Sequence, residues 1–439
     1  MKKTSGILTI IVLAQFCCTS LWFAGNGIVA DLIRNFSLSP DVVGHITSAV
    51  QLGFILGTLV FAFFSVADRF SPSRVFFVCA VAGAASNLGT LFNWNSLYSL
   101  LAFRFLTGFF LAGIYPVGMK IAADYFQEGL GKSLGYLVGA LVIGTAFPHL
   151  LRGFSGELPW RMILIVISFI ALMGGILMIM LVPDGPYRRP GSKIQLNAWF
   201  RVFENKNFRS AAFGYFGHMW ELYAFWAFVP IMLQTYLELH PDSVMNIPLL
   251  SFLIIGLGGL SSVLGGFIAS FWGTKRTASA ALFLSGICCL VSPLAFYTGS
   301  GTIFIGFLVF WGLAVIMDSP LFSTLVAQNA VAELKGTALT IVNSIGFAIT
   351  IISIQLISTI GIADGQIFVY MLLAIGPILG LFALFENKLS GMKSRVSIQH
   401  AAPQFAKGCC RLQSDQFANC GRIPYRQGIG QQKIPGRRW

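Results

Sequence analysis

The chain has 439 residues, of which 56% are hydrophobic and only 10% charged, with 41 phenylalanines. That composition excludes a soluble globular protein, and continuous apolar runs of about 20 residues exclude a membrane barrel, which needs short alternating strands. The net charge of +13 does not mark a nucleic-acid binder, because residues 387–439 carry ten Lys/Arg and one acid and so hold +9 of it.

Twelve spans are expected in chain order, over 7–30, 43–66, 75–93, 97–123, 132–151, 160–182, 209–236, 249–271, 278–298, 302–327, 337–359 and 367–386. The first is too long for a cleavable signal peptide, and no small-residue cleavage site is followed by a soluble region, so it is expected to remain as an anchor. Cys17, Cys18, Cys79, Cys288 and Cys289 fall inside apolar runs, and their spacing suits packing better than a metal site or a disulfide framework. Alternate connections hold most of the Lys and Arg, while the opposite set holds only Arg34, Arg152 and Arg161. This bias predicts cytoplasmic termini and a cytoplasmic central loop.

Pro183 to Asn207 is polar and basic and reads as a linker between two halves. Internal similarity supports the division. Ala67-Asp68-Arg69-Phe70-Ser71 after span two returns about 202 residues later as the Gly266 to Arg276 stretch after span eight. Pro116 is matched by Pro320, and Gly131 by Gly336, at offsets of 204 and 205. The expected domains are a six-helix bundle over 1–182, a central loop over 183–208, a second six-helix bundle over 209–386, and a basic disordered tail over 387–439. Two repeats with a midplane site between them is a transporter plan.

The deepest charge is Glu221, near the middle of the apolar run from Ser210 to Tyr236. At about 1.5 Å per residue it lies roughly 18 Å from either end. A carboxylate at that depth faces a cavity, a partner or a bound proton. His218 precedes it by about one turn on the same face, and Gly214 and Gly217 are expected to leave that face open near its start. Asp318 stands before Ser319-Pro320 in span ten, where it either exchanges a proton or caps a break in the helix. A carboxyl withdrawn from water is suited to loading and releasing a proton, so Glu221 and Asp318, with His218, are the expected proton-coupling groups. The alternative for Glu221 is a static bridge to another span.

Asp68-Arg69 with Arg74, and Gly266 to Gly273-Thr-Lys275-Arg276, resemble the paired loop signature of the major facilitator superfamily. The likeness extends over about 1–386 through the twelve spans, the two halves and the long central loop. Phe64 and Ser71 stand where the first copy has Gly, and Ser270 where the second has Asp. The resemblance implies an all-α polytopic membrane protein with twelve transmembrane helices in two pseudo-symmetric six-helix bundles. It also implies that Asp68, Arg69, Arg74, Gly266, Gly273, Lys275 and Arg276 form a latch between conformations.

Span four, Arg104-Phe-Leu-Thr-Gly108 followed by Gly113, Tyr115 and Pro116, resembles the family's fourth-helix motif. There Arg104 serves proton transfer or an anionic substrate. Otherwise it is a structural hydrogen-bonding Arg of the first half. Gly108 and Gly113 permit close helix contact, and Pro116 predicts a kink. Span five has Phe147-Pro148 where the family's antiporters carry Gly-Pro, which weighs against drug efflux. The resemblance lines a central cavity with spans one, four, seven and ten. It therefore assigns substrate contact to Gln15, Asn26, Arg104, Tyr115, Tyr223 and Trp220, with aromatic walls from Trp22, Phe225 and Trp311.

No phosphate-cradling Gly-Lys-Ser/Thr loop, metal-ligand spacing or Ser-centred elbow is visible, so no enzyme, cofactor or metal is expected. The expected function is secondary active transport of a small polar or anionic solute by alternating access, as proton-coupled symport. Proton-driven efflux of a metabolite or drug, or a non-transporting membrane sensor, are the alternatives. The expected partners are the solute, protons and the lipid bilayer, with no nucleic acid. A monomer in a bacterial-type plasma (inner) membrane completes the expectation.

Overall fold

The computed structural model describes residues 2–126, 130–154, 159–188, 202–331, 334–364 and 367–385. The expected tail over 387–439, and Arg189, Lys193 and Arg201 of the central loop, lie outside them, as do the side chains of Lys2, Lys3 and Lys132. All the helices below belong to one compact unit, Met1–Asn387.

Ten helices among the described residues are long and apolar enough to cross a membrane. They occupy the expected positions two and four to twelve: Val42–Phe63, Leu97–Tyr125, Ser133–Phe154, Trp160–Leu181, Lys206–Leu239, Ile247–Trp272, Thr274–Phe296, Gly301–Asn329, Lys335–Ile360 and Ile367–Phe385. Positions one and three also hold helices, Lys2–Thr19 and Pro72–Gly89. The apolar part of the first, Gly6–Thr19, is short by that measure. The chain then turns through 20–25 before the short helix Val29–Phe36.

The helix interruptions have local causes. Span four breaks between Leu111 and Tyr115, just before Pro116, and span ten breaks at Asp318, just before Pro320. Proline lacks the N–H that would continue the ladder and crowds the carbonyl behind it. Span seven begins where Asn205 accepts from the backbone N–H groups of Asn207 and Phe208, at 2.9 and 3.3 Å. Its 34 residues then run unbroken through Pro230. The turn between spans eight and nine places Gly273 at φ +93°, a left-handed backbone that favours glycine.

Helix pairings repeat six spans apart. Span one packs on five and six, two on four, and three on four and six; seven packs on eleven and twelve, eight on ten, and nine on ten and twelve. Between the two sets, span two packs on eleven and span five on eight, again a pair related by the same shift. Spans two and four approach to backbone distance, since a methyl at Gly108 would lie 2.0 Å from the Val50 carbonyl oxygen. Spans seven and twelve do the same, with Gly217 against Gly376. Gly214 meets the Phe322 ring. The face expected to be open at the start of span seven is therefore filled by neighbours. In lipid, helices gain little from hiding apolar groups from one another, so such small-residue contacts carry the association. Large apolar side chains, among them Phe169, Leu260, Phe267, Phe271 and Ile303, are exposed on the outside, as a lipid-facing surface requires.

Gly108→Leu forces spans two and four apart and is expected to lower the melting temperature of the detergent-solubilised protein, by an overpacking cost of about 1–3 kcal/mol or more. Gly306→Leu in span ten, where an added Cβ meets nothing within 4 Å, leaves it unchanged.

Candidate functional site

A cavity of about 540 Å³ lies between the first and the last six spans. From the first set, Phe54, Thr58, Tyr115, Met119 and Leu141 line it; from the second, Tyr215, Tyr223, Trp226, Ser319, Asn343 and Phe347. Its exposed lining residues, Thr324, Gln328 and Lys335, lie where spans ten and eleven meet the Lys/Arg-rich connections. The cavity thus reaches solvent at the basic end of the molecule. Among the described lining residues, Lys335 is the one that carries a charge.

The opposite end is closed by rings from both halves. Trp22 stacks on Tyr223 and on Phe347, each at 5.8 Å between centroids. Phe54 meets Phe347 at 4.6 Å and Trp22 at 4.8 Å, and Phe23 meets Trp226 at 6.4 Å. Beyond this cluster, Gln355 donates to Ser48 Oγ at 2.8 Å and Ser358 donates to the Asp41 carbonyl at 3.1 Å, joining spans eleven and two. Asn246 reaches the Gly153 carbonyl at 3.3 Å, joining eight and five.

The membrane-embedded charges sit behind the cavity wall. Glu221 is fully buried among spans seven, nine and ten, where Trp311 Nε1 donates to its Oε1 at 2.6 Å and Ser285 Oγ donates to its Oε2 at 2.8 Å. Phe225 packs on the Trp311 ring at 4.7 Å. Nδ1 of His218 lies 2.7 Å from Oδ1 of Asp318, an ion-pair distance without hydrogen-bond alignment, and both residues are buried. Nε2 of His218 and Oδ2 of Asp318 have no hydrogen-bond partner among the described residues. This pair adjoins the wall through Tyr215, a lining residue whose ring lies 6.1 Å from that of His218.

Arg104 is buried in the first half. Its Nη2 donates to the carbonyls of Leu21 and Trp22 at 3.0 and 2.6 Å, and its Nη1 to Asn87 Oδ1 at 3.1 Å. The guanidinium therefore ties spans one, three and four together in the turns where the helix of span one stops. Of the six expected substrate contacts, Tyr115 and Tyr223 line the cavity. Arg104, Gln15, Asn26 and Trp220 do not. Gln15 is packed against Gly118, Asn26 donates to Thr47 at 2.8 Å, and Trp220 donates to the Leu372 carbonyl of span twelve at 3.0 Å. Sequence reasoning missed span eleven, whose Thr340, Asn343 and Ser344 all line the cavity. The signal was present as polar residues three and four apart in an otherwise apolar helix.

At the basic end, Lys120 bridges Asp68 at 3.1 Å and Asp124 at 3.5 Å. Arg188 donates to the carbonyls of Asp68 and Phe70, at 3.1 and 2.8 Å, and Ser71 donates to Asp184 at 2.7 Å. The first loop, span four and the start of the central loop are thereby knitted within the first half. Arg69 and Arg74 lie exposed beside Asp184 and Arg188. In the second copy, an added Cβ at Gly266 meets nothing within 4 Å, and Gly273 makes the turn before Lys275 and Arg276. Among the described residues, no group of three or more His, Cys, Asp or Glu is placed to hold a metal ion.

The family pattern described as the Major Facilitator Superfamily matches residues 11–354. The chain belongs to that superfamily. The bicyclomycin resistance protein homologue of Haemophilus influenzae is 22% identical over 339 residues, covering 75% of this chain and 83% of that protein. The niacin transporter NiaP of Acinetobacter baylyi is 29% identical over 164 residues, 31% of this chain and 36% of that protein. Among solved structures, a mutant of the nucleoside transporter NupG superposes with a TM-score of 0.67 at 15% identity, over 87% of this chain and 99% of that one. The superfamily fold and the apolar helices make this an integral, multi-pass membrane protein.

In this Major Facilitator Superfamily member, Asn343→Cys, placed in a chain whose eight native cysteines are replaced, is expected to react with a hydrophilic maleimide added on the Lys335 side. It stays unlabelled when reagent reaches only the opposite side. Labelling is read as the mass shift of the purified protein.

Proposed function

We propose that the chain is a secondary transporter that carries a small organic solute through the central cavity by alternating access, coupled to proton movement. The observation that carries this reading is a cavity between two sets of six spans, closed at one end by rings, with a buried acid–imidazole pair immediately behind its wall. In an alternating-access cycle, the rings part while the basic end closes.

His218 and Asp318 are the leading coupling groups. Both sit in low dielectric, where an added or lost proton changes the interaction between them strongly. Asp318 also stands at the break of span ten, so a change in the pair acts where that helix can bend. Glu221, held by two donors, is the second carboxyl of the same half. Tyr115 and Tyr223 are proposed as solute contacts. Arg104 is proposed as an anchor of the first half, because its Nη groups donate to Leu21, Trp22 and Asn87. The Asp68–Lys120 pair, with Arg69 and Arg74 nearby, is proposed as the first half of the latch, and Gly266, Gly273, Lys275 and Arg276 as its counterpart. The Lys/Arg bias supports cytoplasmic termini in a bacterial-type inner membrane, with the cavity mouth facing the cytoplasm.

Uptake by proton symport is the preferred direction. Export is the second reading, favoured by the similarity over 75% of the chain to a resistance protein homologue.

In proteoliposomes, an imposed pH gradient is expected to drive accumulation of a labelled solute drawn from organic acids, amino acids, sugars and aromatic amides. Asp318→Asn and His218→Gln abolish the gradient-driven accumulation and retain solute exchange. Undiminished accumulation by Asp318→Asn removes it from the coupling role, and accumulation driven by outward proton flow identifies export. A disulfide between Ser48→Cys and Gln355→Cys, in the cysteine-free background, holds the ringed end shut. It is expected to stop exchange, and reduction restores it.

A further inference from the structure

We infer that the central cavity takes a flat aromatic solute, uncharged or with a single negative charge, that presents a hydrogen-bond acceptor to Trp226. The inference rests on the transport reading of the same cavity.

The shape of the wall is the first argument. Phe54, Tyr115, Tyr215, Tyr223, Trp226 and Phe347 all line the cavity. Four of them form one continuous ringed surface. Tyr223 meets Trp226 and Phe347 at 5.2 Å each, and Phe347 meets Phe54 at 4.6 Å. A ring entering such a surface gains offset and edge contacts beyond the area it buries. A volume of about 540 Å³ accommodates one or two fused rings.

Charge is the second argument. The wall offers no carboxylate and no guanidinium among its described residues. Glu221, Asp318 and Arg104 are not among the lining residues, and each has a partner within the protein. A doubly charged solute would leave water for a wall without counter-charge, at high cost. Lys335 at the mouth attracts one negative charge and repels cations.

The third argument is an unspent donor. Trp226 is 1% exposed, and its Nε1–H has no acceptor among the described residues. Indole N–H donates and cannot accept. A buried donor without an acceptor is costly, and a carbonyl, amide or sulfonate oxygen on the solute removes that cost. Ser344 in the same wall likewise has a hydroxyl without a partner among them.

The test uses the full chain, purified, with four probes read by saturable shifts in melting temperature. Benzamide is neutral and aromatic, benzenesulfonate carries one charge on a ring, methanesulfonate keeps the charge without the ring, and benzenedisulfonate doubles the charge. Benzamide and benzenesulfonate are expected to bind. Methanesulfonate and benzenedisulfonate are expected to bind at least about tenfold more weakly. Trp226→Phe keeps a ring and removes the N–H, and should weaken benzamide about tenfold. If that variant does not fold, Phe347→Leu, which removes one ring of the surface, should weaken both aromatic probes. The inference is overturned if neither aromatic probe gives a saturable shift, if methanesulfonate or benzenedisulfonate matches benzenesulfonate, or if the folded variant binds benzamide as tightly as the parent. Counterflow of benzenesulfonate, which does not cross bilayers unaided, separates the two readings. Aromatic binding without counterflow of any solute upholds the inference and removes transport. Counterflow of glucose or succinate without aromatic binding does the reverse.

Discussion

A charge inside a membrane protein must find its partner, and here the deep charges find theirs without crossing between halves. Arg104 spends its Nη donors on spans one and three. Glu221 is held by spans nine and ten, and His218 faces Asp318, all within the last six spans. An isolated buried ion is strongly destabilising, and a pair between the first and last six spans would tie the two sets together. Keeping each charge within its own half leaves the cavity interface to rings, hydroxyls and amides. Such contacts are individually weak, at about 0.5–1.5 kcal/mol per neutral hydrogen bond or ring pair. The deep polar contacts lie within each set of six spans, and the contacts between the sets are soft.

The repeated pairing of helices gives that softness a direction. Spans two and eleven, and five and eight, make the most extensive helix contacts between halves, and each maps onto the other by a shift of six spans. Within a half, backbone-to-backbone contacts such as Gly108 on Val50 and Gly217 on Gly376 leave no room to slide. Under the proposed alternating access, each half turns as a body, with flexion confined to the proline-adjacent breaks of spans four and ten.

Much of the fold was legible in the sequence, because apolar run length reports directly on a bilayer. The depth of Glu221 was legible for the same reason. Its partners were not: Trp311 lies 90 positions away, and nothing local marks an indole as a donor to a particular acid. Arg104 shows the same limit more sharply. Two of its three acceptors are backbone carbonyls in the turns where the helix of span one stops, and carbonyls have no residue type to read. Gln15, Asn26 and Trp220 looked like cavity groups because polar and aromatic residues in a lining helix point in every direction around it. Only packing decides which face meets the cavity. Span eleven had the opposite fate, since the resemblance directed attention to other helices although its own polar stripe was in plain view.

The ringed end of the cavity also sets how tightly the protein can hold back water and small ions. Four ring pairs cross between the halves there: Trp22 with Tyr223 and Phe347, Phe54 with Phe347, and Phe23 with Trp226. At about 0.5–1.5 kcal/mol each they supply roughly 2–6 kcal/mol. That is comparable to the roughly 5.5 kcal/mol needed to reverse a hundredfold preference between two states. A seal of this strength resists spontaneous parting yet yields to a ligand that binds the parted form better. Because it consists of rings from both sides, it has no static portion that survives separation. Under the proposed alternating access, leak through the empty protein is governed by how rarely the plug wets and opens.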